Sequence, residues 1–237
     1  MLEPALVVEH LTKRYGRVPA LDDVSFSLDA GEIVGLIGPN GAGKSTAFGI
    51  LCGLLRPDSG AMRYRGVPLG RDRGRIVSLI PETPDVYPLL TVWEHLTFVA
   101  RLCRLAVGWE ARANALLVRF DMSDARDMLG SELSKGMRQK TLVAATILAE
   151  TPVLLLDEPM IGLDPLGQRE LRAVLRELRT RGTAIMLSTH QLDVAEAQCD
   201  RVVILNKGRT LASGTIDEMR ALGSGSLEDV FLEITSA

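Results

Sequence analysis

Aromatic residues make up only 4% of this 237-residue chain, and histidine and cysteine occur three times each. Cys52, Cys103 and Cys199 lie far apart and match no metal-ligand spacing. An odd number without a pairing pattern argues against a disulfide framework and for a reducing compartment. An excess of one charge is missing too. The net charge of −3 leaves no global footprint for nucleic acid or an anionic membrane, so no nucleic-acid partner is expected. The basic run from Arg63 to Arg75 is interleaved with Gly, Pro and Asp and reads as a solvated loop. The most apolar stretch, Leu142 to Leu156, is interrupted by Glu150 and Pro152, well short of the roughly 20 residues that span a bilayer. Met1-Leu2-Glu3-Pro4 has neither a basic start nor a sustained apolar segment, so no signal peptide is expected. The chain reads as soluble by itself, and any membrane span would come from a partner.

What is present is ample core material, with 46% hydrophobic residues. Ala5–Val8 and the alternating Val24-Ser25-Phe26-Ser27-Leu28 read as strands, and Arg75–Ile80 as another. From Thr91 to Leu129 the pattern turns helical. Thr91 and Glu94 form a capping-box signature, and further helices are expected over Trp109–Phe120 and from Ser134 to about Ala149. Val153–Leu156 and Ala184–Leu187 are continuous apolar runs, as in strands buried on both faces, with an amphipathic helix over Leu171–Arg181 between them. Val202–Leu205, the turn Asn206-Lys207-Gly208 and Arg209–Leu211 read as a hairpin.

One stretch carries the chemistry. Gly38-Pro39-Asn40-Gly41-Ala42-Gly43-Lys44-Ser45-Thr46 fits G-x-x-x-x-G-K-[ST] and follows the apolar run Ile33–Ile37, the strand–loop–helix context of a phosphate cradle. Glycines let successive N–H groups converge on an anion, Lys44 can reach β- and γ-phosphates, and the Ser45 hydroxyl suits Mg²⁺. The strand Val153–Leu156 delivers Asp157 and Glu158 at its end, where α/β sheets place ligands. Asp157 suits holding Mg²⁺, and Glu158 suits polarising an attacking water as general base. Leu187-Ser188-Thr189-His190 repeats the design, with an imidazole able to hydrogen-bond a γ-phosphate. In Leu133-Ser134-Lys135-Gly136-Met137, Ser134 is a plausible N-cap and Gly136 leaves its amide open to an anion.

In that order these residues resemble the ATP-binding-cassette (ABC) ATPase family over essentially the whole chain. The family's phosphate loop matches Gly38–Thr46, its glutamine loop the segment around Glu82, and its LSGGQ-like signature Leu133–Met137. Its acidic strand matches Leu154–Glu158, its D-loop Gly162-Leu163-Asp164, and its switch histidine His190. Tyr15 matches the aromatic that stacks on adenine. The resemblance implies an α/β, ABC-type P-loop NTPase: a RecA-like core, an N-terminal antiparallel β-subdomain and an inserted helical subdomain. It would be one domain over 1–237, with core and β-subdomain at about 1–82 and 151–215. The helical part would cover about 83–150, and a short C-terminal tail about 216–237.

The same resemblance implies ATP and Mg²⁺ as ligands, with Ser45, Glu82 and Asp157 around the metal. It implies a homodimer of ATPase subunits closed head to tail, with Ser134 and Gly136 acting on the partner's nucleotide and Asp164 at the seam. It also implies a separate membrane permease and a peripheral place on the cytoplasmic face of the membrane. Glu82 replaces the usual Gln, and Lys135 and Met137 replace Gly and Gln, departures similar to those of multidrug and antibiotic exporters. The tail Ser226–Leu232 is similar to the end of that subgroup. Asp85–Leu90 and Trp93 lie where the family receives a permease, or else pack inside the helical part. The leading reading is an exporter motor subunit. A non-transport ABC ATPase and an importer ATPase stay open as alternatives.

Overall fold

The computed structural model describes residues 3–222 and 226–236. Met1 and Leu2, and residues 223–225 and 237 of the expected tail, lie outside the described residues. The chain divides into two compact units, one of Met1–Leu79, Pro152–Glu158 and Leu178–Ala237, the other of Ile80–Thr151 and Pro159–Glu177.

In chain order, β1 (Leu6–Tyr15), β2 (Val18–Leu28) and β3 (Ile33–Ile37) precede α1 (Lys44–Cys52). Short strands β4 (Ser59–Tyr64) and β5 (Val67–Pro68), a 3-10 turn at Arg71–Arg75 and β6 (Val77–Ile80) follow. Next come α2 (Val92–Leu102), α3 (Trp109–Arg119) and α4 (Lys135–Leu148). The last third runs β7 (Val153–Asp157), α5 (Pro165–Thr180), β8 (Ala184–Thr189), α6 (Leu192–Gln198), β9 (Arg201–Asn206), β10 (Arg209–Thr215), α7 (Ile216–Leu222) and α8 (Leu227–Ser236).

The first unit holds two sheets. One has the order β2-β1-β4-β5 with antiparallel pairs, the other β10-β9-β3-β8-β7-β6. Within the second, β9, β3, β8 and β7 run parallel, and every residue of β3, β7 and β8 is buried. That burial on both faces is why these strands read as unbroken apolar runs rather than alternating ones. α1 buries Ala47, Phe48, Ile50 and Leu51 into the core and stops at Gly53, whose φ of 94° is the left-handed cap that glycine supplies cheaply. The Cys199 thiol lies within this unit, and burial pushes its pKa up to about 12, so it stays protonated and unreactive.

The second unit is helical. α2 opens with the capping box foreseen from sequence: Glu94 N–H donates to Thr91 Oγ1 at 3.1 Å and Thr91 N–H to Glu94 Oε2 at 2.8 Å. Trp93 stacks on Trp109 at 5.5 Å between centroids, and the Arg126 guanidinium lies over its ring, 3.9 Å from the centroid. It is half-buried, with these contacts made within the helical unit. No helix among the described residues is long and apolar enough to cross a membrane.

Two sequence expectations are corrected. The run Arg63–Arg75 is not a plain solvated loop. It forms the end of β4, β5 and the 3-10 turn, because Arg73 donates from Nη1 to the Ile50 carbonyl (2.9 Å) and from Nε to that of Gly70 (3.0 Å). α5 begins at Pro165, six residues before the expected Leu171, because Asp164 accepts the Gly167 N–H at 2.6 Å and Pro suits the first helical position. The short C-terminal segment carries two helices, Ile216–Leu222 and Leu227–Ser236, the second opened by Ser226, which exchanges hydrogen bonds with Asp229.

Candidate active site

Parallel pairing brings three strand ends together. Ile37 of β3 pairs with Thr189 of β8, and Asp157 of β7 pairs with Ser188 of β8. The phosphate-type loop, His190 and the Asp157–Glu158 pair therefore leave one sheet edge side by side, the edge where α/β sheets bind ligands.

The loop is built for close backbone approach. A Cβ on Gly38 would lie 2.2 Å from the Leu205 carbonyl oxygen, and one on Gly43 2.4 Å from that of Ala20. Gly41, with φ 78°, has nothing within 4 Å of the corresponding point. Ala42 N–H donates to the Pro39 carbonyl at 3.1 Å and Gly208 N–H to that of Ala42 at 2.9 Å, which pins the loop to the β9–β10 turn. Lys44 is 8% exposed, and its ammonium donates to the Gly38 and Pro39 carbonyls at 2.6 and 3.2 Å. α1 has no capping side chain at Gly43 and no acidic residue in its first turn. Its leading amides and positive dipole end thus point at the loop, the arrangement that favours an anion. Ser45 and Thr46 lie in that first turn. Phosphate-type anions suit these donors and this positive helix end.

The acidic pair is held by a residue the sequence reading did not single out. Ser188 is fully buried and donates from its hydroxyl to Asp157 Oδ1, while the Glu158 N–H donates to Ser188 Oγ (3.3 Å) and to its carbonyl (3.2 Å). A hydroxyl in an otherwise apolar buried strand was the available signal. Asp157 and Glu158 are 7% and 8% exposed. Glu158 has φ 47°, a left-handed conformation costly for a residue with a Cβ and most often found at functional sites. Its Oε1 lies 2.7 Å from His190 Nδ1, which orients the ring and leaves Nε2 for another partner. Tyr15, half exposed, ends β1 opposite Val18, on the hairpin whose Ala20 and Leu21 lie against Gly43.

The second unit carries the remaining candidates. Ser134 caps α4, accepting the Met137 N–H at 3.2 Å. A Cβ on Gly136 would lie 3.0 Å from the Gly162 carbonyl oxygen, so the helix start and the segment ahead of α5 touch through backbone. Lys140 Nζ bonds Asp164 Oδ2 at 3.0 Å, a tie the sequence reading missed. The Gly167 amide, and after it Lys140, hold the Asp164 carboxyl below the usual aspartate range. Glu82 is exposed. Among the described residues no group of three or more His, Cys, Asp and Glu side chains converges as a metal cage.

Residues 21–161 match the family model described as ABC transporter. The chain is 39% identical to the ABC-type transporter ATP-binding protein EcsA of Bacillus subtilis, over 97% of this chain and 96% of that protein. It is 36% identical to the daunorubicin resistance ATP-binding protein DrrA3 of Streptomyces coeruleorubidus, over 98% of this chain and 75% of the relative. A solved ATP-binding subunit of an ABC transporter superposes with a TM-score of 0.92 at 39% identity, covering 97% of this chain and 99% of that one. With the phosphate cradle and acidic strand end built as described, the chain belongs to the ABC transporter family as an ATP-binding subunit.

Proposed function

We propose that this chain is the ATP-hydrolysing motor of an exporter, working as a single ATPase domain beside a separate membrane permease on the cytoplasmic face of the membrane. The observation that carries the reading is the β3-β8-β7 edge, where the phosphate loop, His190 and Glu158 emerge from neighbouring strands. The daunorubicin-resistance relative and the Glu82, Lys135 and Met137 departures favour export over import.

In this reading Tyr15 stacks on the adenine. Gly38, Pro39, Asn40, Gly41, Ala42 and Gly43 wrap the phosphates with backbone N–H groups, and Lys44, Ser45 and Thr46 complete the cradle. Glu158 takes the proton from the attacking water, and the His190 imidazole steadies that carboxylate while its Nε2 side senses the γ-phosphate. Ser45, Asp157 and Glu82 would hold Mg²⁺, an ion that commonly binds through one or two carboxylates and substrate phosphates rather than an all-protein cage. When bound, it neutralises charge on the phosphate oxygens. Ser134 and Gly136 of a second copy donate to the γ-phosphate across a homodimer whose seam includes Asp164, so closure follows ATP binding and opening follows hydrolysis.

The test is co-purification of the chain with an integral membrane permease, followed by ATP-driven transport in inverted vesicles. Accumulation inside such vesicles supports export. Loss from preloaded vesicles would favour the importer reading, and the absence of any membrane partner would favour a non-transport ATPase.

A further inference from the structure

The loop of residues 85–90 is fastened to α2 by one imidazole. His95 is 6% exposed and lies beneath Tyr87, which is 57% exposed. Its Nε2 accepts the Tyr87 backbone N–H at 2.8 Å, and its Nδ1 lies 2.8 Å from the Thr91 carbonyl oxygen. A backbone N–H only donates and a carbonyl only accepts. Nδ1 therefore carries the proton and Nε2 is bare, so the ring is held neutral. The Tyr87 ring stacks on this imidazole at 5.8 Å between centroids and meets Phe98 edge-on at 5.6 Å.

The loop's other side is tied through backbone. Ser131 N–H donates to the Pro88 carbonyl at 3.0 Å and Gly130 N–H to that of Leu90 at 2.8 Å. A Cβ on Gly130 would lie 2.4 Å from the Tyr87 carbonyl oxygen, so the loop seats against bare backbone. That backbone runs directly into Ser134 and α4. Of the titratable groups around the imidazole, the Tyr87 phenol faces it across the stack. The charged groups on adjoining elements are turned to other partners: Glu94 to Thr91 N–H, Glu132 to Leu129 N–H, Arg126 to Trp93, Arg138 to the Ser131 carbonyl and Lys140 to Asp164. Asp85 is exposed.

We propose that His95 is a proton-sensitive latch, which holds the Tyr87 loop on α2 as the neutral Nδ1–H imidazole and releases it when a solvent proton occupies Nε2. Protonation sets two N–H groups against each other, cancels the bond to Tyr87 and charges a buried ring. Histidine is the side chain suited to such a switch, because its two ring nitrogens gain and lose a proton more readily than any other side chain near neutral pH. Its consequence for transport rests on the reading that this loop meets a permease; the latch itself does not.

Hydrogen exchange at the Tyr87 amide of the full chain, corrected for intrinsic rates and measured at about pH 7.5 and 5.5, tests the proposal. The wild type is expected to lose at least about tenfold in Tyr87 protection on acidification, while the Leu155 amide keeps its own. His95→Gln, whose side-chain oxygen can accept the same bond without titrating, should keep Tyr87 protected at both values. Equal protection at both pH values in the wild type, or an equal acid loss in His95→Gln, overturns the latch. So does a ¹⁵N spectrum of wild-type His95 showing the Nε2–H tautomer at pH 7.5, a measurement that needs no variant to fold. If the latch behaves as stated but the permease complex has the same pH profile with and without His95→Gln, the latch stands and the permease role of the loop falls.

Discussion

Glu158→Gln isolates one atom's chemistry. The side chain keeps its length and its Oε1, so it can still accept from His190 Nδ1, now 2.7 Å from a carboxylate oxygen. The Ser188 bonds to Asp157 and to the Glu158 N–H do not involve the changed group. Exchanging a charged acceptor for a neutral one in this buried corner should cost about 1 kcal/mol of stability, the difference between charge-assisted and ordinary hydrogen bonds. Loss of a general base removes about 10²–10⁴ in rate. At 1.36 kcal/mol per factor of ten, that raises the barrier by about 2.7–5.4 kcal/mol. The barrier change thus exceeds the stability change severalfold, and the variant should be folded, able to bind ATP and nearly inert. Phosphate release at saturating ATP, beside titration with a fluorescent ATP analogue, separates the two effects. Turnover within about threefold of wild type would refute the base assignment, and so would an equal loss of binding and turnover.

Two further outcomes test the supporting geometry. Gly38→Ala forces a Cβ to within 2.2 Å of the Leu205 carbonyl, whereas Gly41→Ala meets open space and bears only its left-handed φ of 78°. The first should weaken ATP-analogue binding at least about tenfold and cost about 1–3 kcal/mol of stability as an overpacked site; the second should cost about 1–2 kcal/mol through its backbone alone. Equal behaviour in thermal unfolding and binding would contradict the close approach. Asp164, whose folded pKa is lowered, contributes stability that is present above the ordinary aspartate value of about 3.9 and lost as pH falls through its folded value below that. Lys140→Met removes one cause of that lowering, so its deficit in urea unfolding, about 0.5 kcal/mol for a carboxylate more than half exposed, should be present at pH 7 and shrink toward pH 3. A deficit independent of pH would assign it to packing alone.

The parts legible in the sequence are those fixed by short-range physics. Strand-buried apolar runs, the Thr91–Glu94 capping box and the glycine loop each announce themselves within a few residues. The order of strands in the sheet does not, because β3 sits between β8 and β9, which lie some 150 residues further along the chain. Ser188 was passed over because its value lies in the Asp157 and Glu158 groups of the neighbouring strand. Arg73 looked like a solvated charge because the carbonyl it reaches, that of Ile50, is 23 residues away. Nothing in the sequence marks His95, since only the returning backbone of Tyr87, eight residues earlier, makes its neutral form matter. Tertiary partners, not local propensity, decide each of these.

The central claim is that hydrolysis belongs to two chains at once, and mixing two inactive variants tests it most directly. Lys44→Ala disables the phosphate loop but leaves the α4 start intact. Ser134→Asp keeps a good N-cap for the Met137 N–H yet sets a negative charge toward the partner's γ-phosphate. Each variant alone should hydrolyse ATP at least about 10²-fold more slowly than wild type, the scale of losing one stabilising donor. In an equimolar mixture, heterodimers hold one site built from an intact loop and an intact signature. Activity should then recover to about a quarter of the wild-type rate if chains pair at random and the two sites turn over independently, a population estimate from mass action. Activity equal to the sum of the two separate variants would contradict the composite site.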